Sequence, residues 1–336
     1  MSGALPTVLL LTQPGLGART LEDLLDLGFA RRCALTVAVP PAGAGLVARL
    51  RGRLRGLLSA RDRHRHWPLL HPALAFARLR RLAQRHRVAL ATVADDADVA
   101  ALVARLQPAL VLTVTSRILY SQGTLDGCPG LWLNLHPGLL PRYAGAVPGP
   151  YMFLDGEAGF TLHRMRPAID GGEIVAAERV DAARAADLGA LLFDLLAPAM
   201  ARALDRLFDD WRAGRLVFAP QDAPLSHCSQ ARLERDRHLA WQLPAATLLR
   251  WVAALRPLVL PAVRLDDGRS LPVRRVARLG RRTADALPGQ VCASRGRRLD
   301  VAVADDTLRI WLAAPAGLPV GSLLPRVDFR GGLQCA

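Results

Sequence analysis

Short uninterrupted apolar runs alternate with helix-periodic stretches along the first part of the chain. Residues 6–12, 33–39, 88–93, 109–115 and 130–135 are dominated by Val, Leu and Ala with little polar alternation. Such runs mark strands covered on both faces, as in a parallel sheet. Between them, residues 20–28 and 96–106 place apolar side chains three and four apart, the spacing of amphipathic helices. The alternation predicts an α/β unit with a doubly wound, mostly parallel sheet. Residues 187–214 read as one long helix. Residues 215–243, with Pro220 and Pro224, are irregular and suit an interdomain linker. A helix over 245–255 follows, then strand-like runs at 262–265, 271–276, 290–293, 299–303 and 308–311. Asp267-Gly268 reads as a hairpin turn, and these strands predict a small antiparallel β-barrel. The expected units are therefore residues 1–214, a linker over 215–244, and a second domain over 245–336.

Composition narrows the class. A chain of 336 residues, 51% hydrophobic, is long enough for two or three units with sizeable cores. The net charge is +15, and all 44 basic residues are Arg. Coding bias accounts for the absence of Lys, but the excess of base over acid favours an anionic partner: a polyanionic cofactor, a nucleotide sugar or tRNA. The five cysteines are scattered without CxxC spacing, which argues against a disulfide framework or zinc site. The first apolar run lacks a charged leader and no window is long enough to span a bilayer, so a cytoplasmic protein without stable membrane association is expected. Residues 42–87 hold twelve arginines and one acid, Asp62. They suit either a solvated helical insertion or an anion-facing lobe, with residues 72–87 as a basic amphipathic helix.

The chemistry concentrates between residues 131 and 175. Asn134 and His136 lie two apart at the end of a predicted strand, so their side chains share a face. Ligands gather at the carboxyl ends of strands in such sheets. Pro137-Gly138 turns the chain at once, and Asp170, before Gly171-Gly172, sits in a loop able to reach the same crevice. These residue types suit acyl transfer to an amine. An Asn amide and an imidazolium can donate hydrogen bonds to a developing oxyanion, and a carboxylate can orient or charge the imidazole. Asn and His can equally be structural at a strand end.

The surrounding sequence is more specific. Asn134-Leu-His136-Pro-Gly-Leu-Leu-Pro141-Arg-Tyr-x-Gly145, followed by Ile169-Asp170-Gly171-Gly172, resembles the folate-dependent formyltransferase family. That resemblance implies a formyltransferase fold and 10-formyltetrahydrofolate as co-substrate, with no metal required. Asn134, His136 and Asp170 are then the catalytic trio. It also implies that Thr115, Ser116, Arg117, Ile118 and Leu119 form one pterin-lining loop, and Ile169 and Gly171 belong to a second. Gly145-Ala-Val-Pro148, Pro220-Gln221-Asp222, Leu271-Pro-Val-Arg-Arg-Val276 and Asp328-Phe329-Arg330-Gly331 resemble segments of the methionyl-tRNA formyltransferase subfamily. In that subfamily the C-terminal region is an OB-like barrel that helps hold tRNA. The implied partner is thus initiator tRNA, met through an Arg-rich surface by a monomer. An amino sugar or other small amine is the alternative acceptor, and transfer to water or a non-catalytic RNA-binding role are further rivals.

Several features carry two readings. Gly15-x-Gly17 lacks the third glycine of a dinucleotide loop. His163 is structural or at the rim of the site. Arg142 is a phosphate contact or a solvated loop residue. Arg274, Arg275, Arg278, Arg281 and Arg282 form a basic patch that is phosphate-binding or merely solvated. His64, His66 and His71 sit among arginines, which repel metal ions.

Overall fold

The computed structural model describes residues 4–41, 72–221, 223–225, 227–255 and 258–329. Strand β1 (Thr7–Thr12) leads to helix α1 (Leu16–Asp26) and then β2 (Ala34–Val39). After α2 (Pro72–His86) come β3 (Ala89–Thr92), α3 (Asp96–Leu106), β4 (Leu110–Val114), α4 (Gln122–Asp126) and β5 (Leu131–His136). These five strands are parallel in the order β3-β2-β1-β4-β5. Helix α5 (Gly149–Asp155) precedes β6 (Ala158–Arg164) and β7 (Ile174–Val180), which extend the same sheet antiparallel, giving seven strands. The fold is thus the doubly wound, mostly parallel one expected. The antiparallel pair β6–β7 was not anticipated.

Strand β1 shows why the apolar runs are continuous. Val8 and Leu10 enter one core cluster with α1, while Leu9 and Leu11 enter another with Val99, Leu102 and Val103 of α3. With side chains alternating between faces, both faces need apolar residues when helices cover both. Burying each such side chain contributes about 1.5–3 kcal/mol relative to exposure. Helix α3 begins where expected because the Asp95 side chain accepts the Asp98 N–H at 3.0 Å, capping its first turn.

The predicted helix over 187–214 divides into a π-helical turn (Ala190–Leu196) and α6 (Ala197–Arg212). Pro198 lies at the start of α6, and a proline lacks the N–H that continues an α-helical ladder. Helix α6 packs on α1, with the Phe29 and Phe208 rings 4.9 Å apart between them. Residues 42–71 of the Arg-rich insert, including His64, His66 and His71, lie outside the described residues. Helix α2 is docked against α1, where the Arg78 guanidinium donates to both carboxylate oxygens of Glu22 at 2.7 and 2.6 Å.

The segment read as a linker contains a short helix, α7 (Gln230–Asp236), followed by α8 (Ala245–Leu255). Strands β8 (Ala262–Arg264), β9 (Ser270–Arg278), β10 (Val291–Arg295), β11 (Arg298–Ala302) and β12 (Thr307–Leu312) form a separate antiparallel sheet, order β10-β11-β12-β9-β8. This five-stranded sheet is the OB-like second unit. Helix α8 belongs to both cores. Trp251, Ala254 and Leu255 join the first, and Ala245, Leu248 and Val252 join the second. At that junction the Trp251 indole donates to the Asp236 carbonyl at 2.8 Å, and the Tyr151 hydroxyl of α5 donates to the Asp236 carboxylate at 3.0 Å. Among the described residues no helix is long and apolar enough to cross a membrane.

Candidate functional site

Register builds the site. Thr113 of β4, Asn134 of β5 and His163 of β6 are direct partners across three adjacent strands. Neighbouring strands are about 4.8 Å apart, so short polar side chains in one row can touch. The Thr113 hydroxyl donates to Asn134 Oδ1 at 2.7 Å, and Asn134 Nδ2 lies 2.9 Å from His163 Nε2. His163 Nδ1 is 2.9 Å from the Arg164 carbonyl and must donate to it. That fixes Nε2 as the acceptor of the Asn134 amide hydrogen. One row further along β5, His136 faces Thr161 of β6. Thr161 is fully buried and pins the turn after His136, donating to the Gly138 carbonyl at 2.8 Å and accepting the Leu140 N–H at 3.0 Å.

Asp170 is brought in from the loop between β6 and β7. Its backbone is left-handed, with φ of 54°. Asp tolerates that region better than most side chains. One carboxylate oxygen, Oδ2, accepts the Gly145 N–H at 2.7 Å. The other, Oδ1, lies 3.4 Å from Asn134 Nδ2, 3.4 Å from His136 Nδ1 and 3.5 Å from His163 Nε2. The three residues singled out in the sequence therefore converge on one oxygen atom, and His163 joins them. His163 is not at the rim: it is 1% exposed, against 4% for His136 and 9% for Asp170. Asn134 is only part-buried, so its amide is the face this cluster presents outward.

Charge states follow from these surroundings. Burial pushes the Asp170 carboxyl up, but its neighbours, the His163 and His136 imidazoles and the Gly145 N–H, together outweigh it and hold it below the usual carboxylate range. For His136 burial dominates and pushes the imidazole below its ordinary value, with Asp170 and the Tyr143 carbonyl opposing. His136 Nε2 is 2.7 Å from the Tyr143 carbonyl and so carries its proton there. The resting pair is thus a neutral imidazole whose bare Nδ1 faces a carboxylate. A neutral His beside a carboxylate can take up one proton and share it, which suits it to general-base and then general-acid work.

The two loops assigned to the pterin flank this cluster. Thr115 (φ 57°) follows β4 directly. The Ser116 hydroxyl and the Tyr120 hydroxyl are 2.7 Å apart, and Ile118 packs into the core with Tyr120 and Trp132. Leu119 on this loop is 71% exposed, and on the second loop Ile169 is 49% exposed. Gly171 closes that loop by donating its N–H to the Ala168 carbonyl at 3.3 Å. Arg117 is exposed on the same loop. No cluster of three or more His, Cys, Asp or Glu able to hold a metal ion occurs among the described residues.

Other candidates fall outside the cluster. Arg142 is engaged by Glu157 at 2.6 Å. In the basic patch, Arg278 donates to Asp306 at 2.7 Å and Arg275 stacks over the Trp311 ring at 4.6 Å. Sequence reasoning missed Thr113 and the part played by His163. Their signal lies in strand register, which is invisible until β6 is recognised as the partner of β5. A cleft of about 800 Å³ is lined by residues on and around α7, by Arg264 of β8 and by the chain near Arg326, with Arg235 and His238 alongside Glu234 and Asp328 in the same lining. His227 pairs with Ala144, next to the Gly145 that holds Asp170.

Comparison with known proteins places these features in a family. Residues 72–196 match the formyl transferase family. A methionyl-tRNA formyltransferase from Acidithiobacillus ferrooxidans is 32% identical over 236 residues, covering 69% of this chain and 73% of that protein. Another, from a Methylobacterium species, is 30% identical over 333 residues, 97% of this chain and 96% of that one. Among solved structures, an N-formyltransferase from Helicobacter canadensis in complex with folinic acid and dTDP-3-aminofucose superposes with a TM-score of 0.55 at 13% identity, covering 91% of this chain and 98% of that one.

Proposed function

This chain belongs to the formyl transferase family, and we propose that it moves a formyl group from 10-formyltetrahydrofolate to the α-amine of initiator methionyl-tRNA. The observation that carries the reading is the convergence of Asn134, His136 and Asp170 on one carboxylate oxygen at the carboxyl edge of β5. The folate supplies the formyl group and a nitrogen to leave it. Asn134 Nδ2 has one hydrogen committed to His163, while its other contact, to Asp170 at 3.4 Å, is weak. That second hydrogen is free to turn to the formyl oxygen as negative charge develops there. Neutral His136, with Asp170 beside its bare Nδ1, takes the proton the amine sheds and returns it to the departing nitrogen. Thr115 to Leu119, Ile169 and Gly171 frame the folate.

The Arg-lined cleft supports an acceptor that carries phosphates. Arg235, Arg264 and Arg326 are exposed there, beside Glu234, Asp236 and Asp328. The net charge of +15 acts in the same direction. The reading is tested by tetrahydrofolate release from 10-formyltetrahydrofolate with charged initiator tRNA, with uncharged tRNA, or with nucleotide-linked amino sugars as acceptor. Release that needs the charged tRNA and weakens steeply with salt supports it. Release driven by an amino sugar alone moves the acceptor to the small-amine class.

A further inference from the structure

We propose that Gln221 is a positioning residue for the formyl-transfer reaction, holding the left-handed turn from which Asp170 reaches His136 and Asn134. The inference rests on the function proposed above. Gln221 lies 51 residues beyond Asp170, in the stretch that leaves the first sheet. Its side-chain nitrogen is 2.7 Å from the Asp170 carbonyl and 2.7 Å from the Gly172 carbonyl. Two carbonyl oxygens at that distance identify the facing atom as the amide nitrogen, since an oxygen there would be repelled. Both hydrogens of one amide are thus committed to the main chain on either side of Gly171.

The placement of Gln221 is itself determined. Ala219 and Ile174 exchange two backbone hydrogen bonds, at 2.7 and 2.8 Å, so the segment runs along edge strand β7. The turn it grips has no slack. A Cβ on Gly172 would stand 1.8 Å from the Arg164 carbonyl oxygen. A few residues later the same segment reaches the other side of Asp170. The Cys228 N–H donates to the Ala144 carbonyl at 2.6 Å and the Val147 N–H to the Cys228 carbonyl at 2.9 Å. Between those bonds lies Gly145, whose N–H fixes Asp170 Oδ2. Gln221 thus holds the Asp170 main chain, and Cys228 holds its carboxylate through the backbone around Gly145.

The test compares wild type with Gln221→Met, which keeps the length of the side chain but cannot donate, and with Gln221→Ala. A misplacement of about 1 Å can cost on the order of a hundredfold in rate. The expected result is a fall in kcat of about tenfold to a hundredfold, with folate KM little changed and the melting temperature preserved. The decisive readout is independent of turnover: the titration of His136, followed by NMR of 13C-labelled histidine. Asp170 is what supports protonation of His136, so loosening it should move that titration to lower pH in Gln221→Met. An unchanged His136 titration together with wild-type kcat overturns the proposal, as does a loss of activity that only tracks unfolding. If wild-type protein transfers no formyl group to any acceptor, the function proposed above falls. The His136 titration still decides the role of Gln221.

Discussion

Replacing Asp170 by Asn changes one atom and one charge at the centre of the cluster. The amide oxygen can keep the Gly145 N–H, now 2.7 Å from Oδ2. The amide nitrogen then sits where Oδ1 is, 3.4 Å from the bare Nδ1 of His136, and can donate to it. Asn also accepts the φ of 54° that this position requires. The variant should therefore fold, losing at most the charge-assisted part of a few hydrogen bonds, about 1.5–3 kcal/mol. What it cannot do is help His136 hold a second proton. General acid–base assistance contributes about 10²–10⁴-fold, equivalent to about 2.7–5.4 kcal/mol of barrier. Tetrahydrofolate release followed by absorbance should show kcat reduced by that range with folate KM little altered. A variant that keeps more than about a tenth of wild-type kcat would refute a proton-handling role for the pair. Asp170→Ala is a poorer probe, since it adds about 1–2 kcal/mol of left-handed backbone strain to the same chemical loss.

Other expectations follow from the same geometry. Because burial lowers the His136 pKa below 6.5, the base form dominates at neutral pH, and kcat/KM should fall only as pH drops through that lowered value. A pH–rate profile with its acid limb above 6.5 would contradict this. The linkage has the same sign for stability: the unfolded state binds the His136 proton more readily, so acid between 6.5 and the folded value should destabilise, as denaturant midpoints against pH will show. Thr113→Val removes the 2.7 Å donor to Asn134 Oδ1 while keeping shape, and should lower kcat about tenfold without unfolding the protein, measured beside a circular-dichroism melt. Trp251→Ala empties a fully buried site in the first core and should cost about 3–5 kcal/mol in urea denaturation. Cys33 and Cys228, with thiols pushed up to about 11 and about 12 by burial, should react with a thiol reagent only after unfolding.

Much of this molecule was legible because its strands are buried on both faces. Five apolar runs in the first half became the five parallel strands, and the Asn134-x-His136 spacing placed both side chains on one face of β5. The pair β6–β7 was not read, although Ala158, Phe160 and Leu162 alternate with Gly159, Thr161 and His163 at the period of a strand. With β6 went the register that sets His163 opposite Asn134. The charge state of His136 was also beyond sequence, because it depends on a carbonyl seven residues away and on burial. Gln221 shows the same limit: its Pro-Gln-Asp setting marks a linker, but its contact to Asp170 spans 51 residues.

The most direct test follows the carbon itself. Protein is mixed with 10-formyltetrahydrofolate labelled in the formyl group and with charged initiator tRNA, and the label is traced in parallel for wild type and for His136→Ala. The expected result is label bound to the amino-acid nitrogen in step with tetrahydrofolate release, and its loss in the variant. Label recovered as free formate, or transfer undiminished in His136→Ala, would contradict the assignment of amine formylation to this cluster.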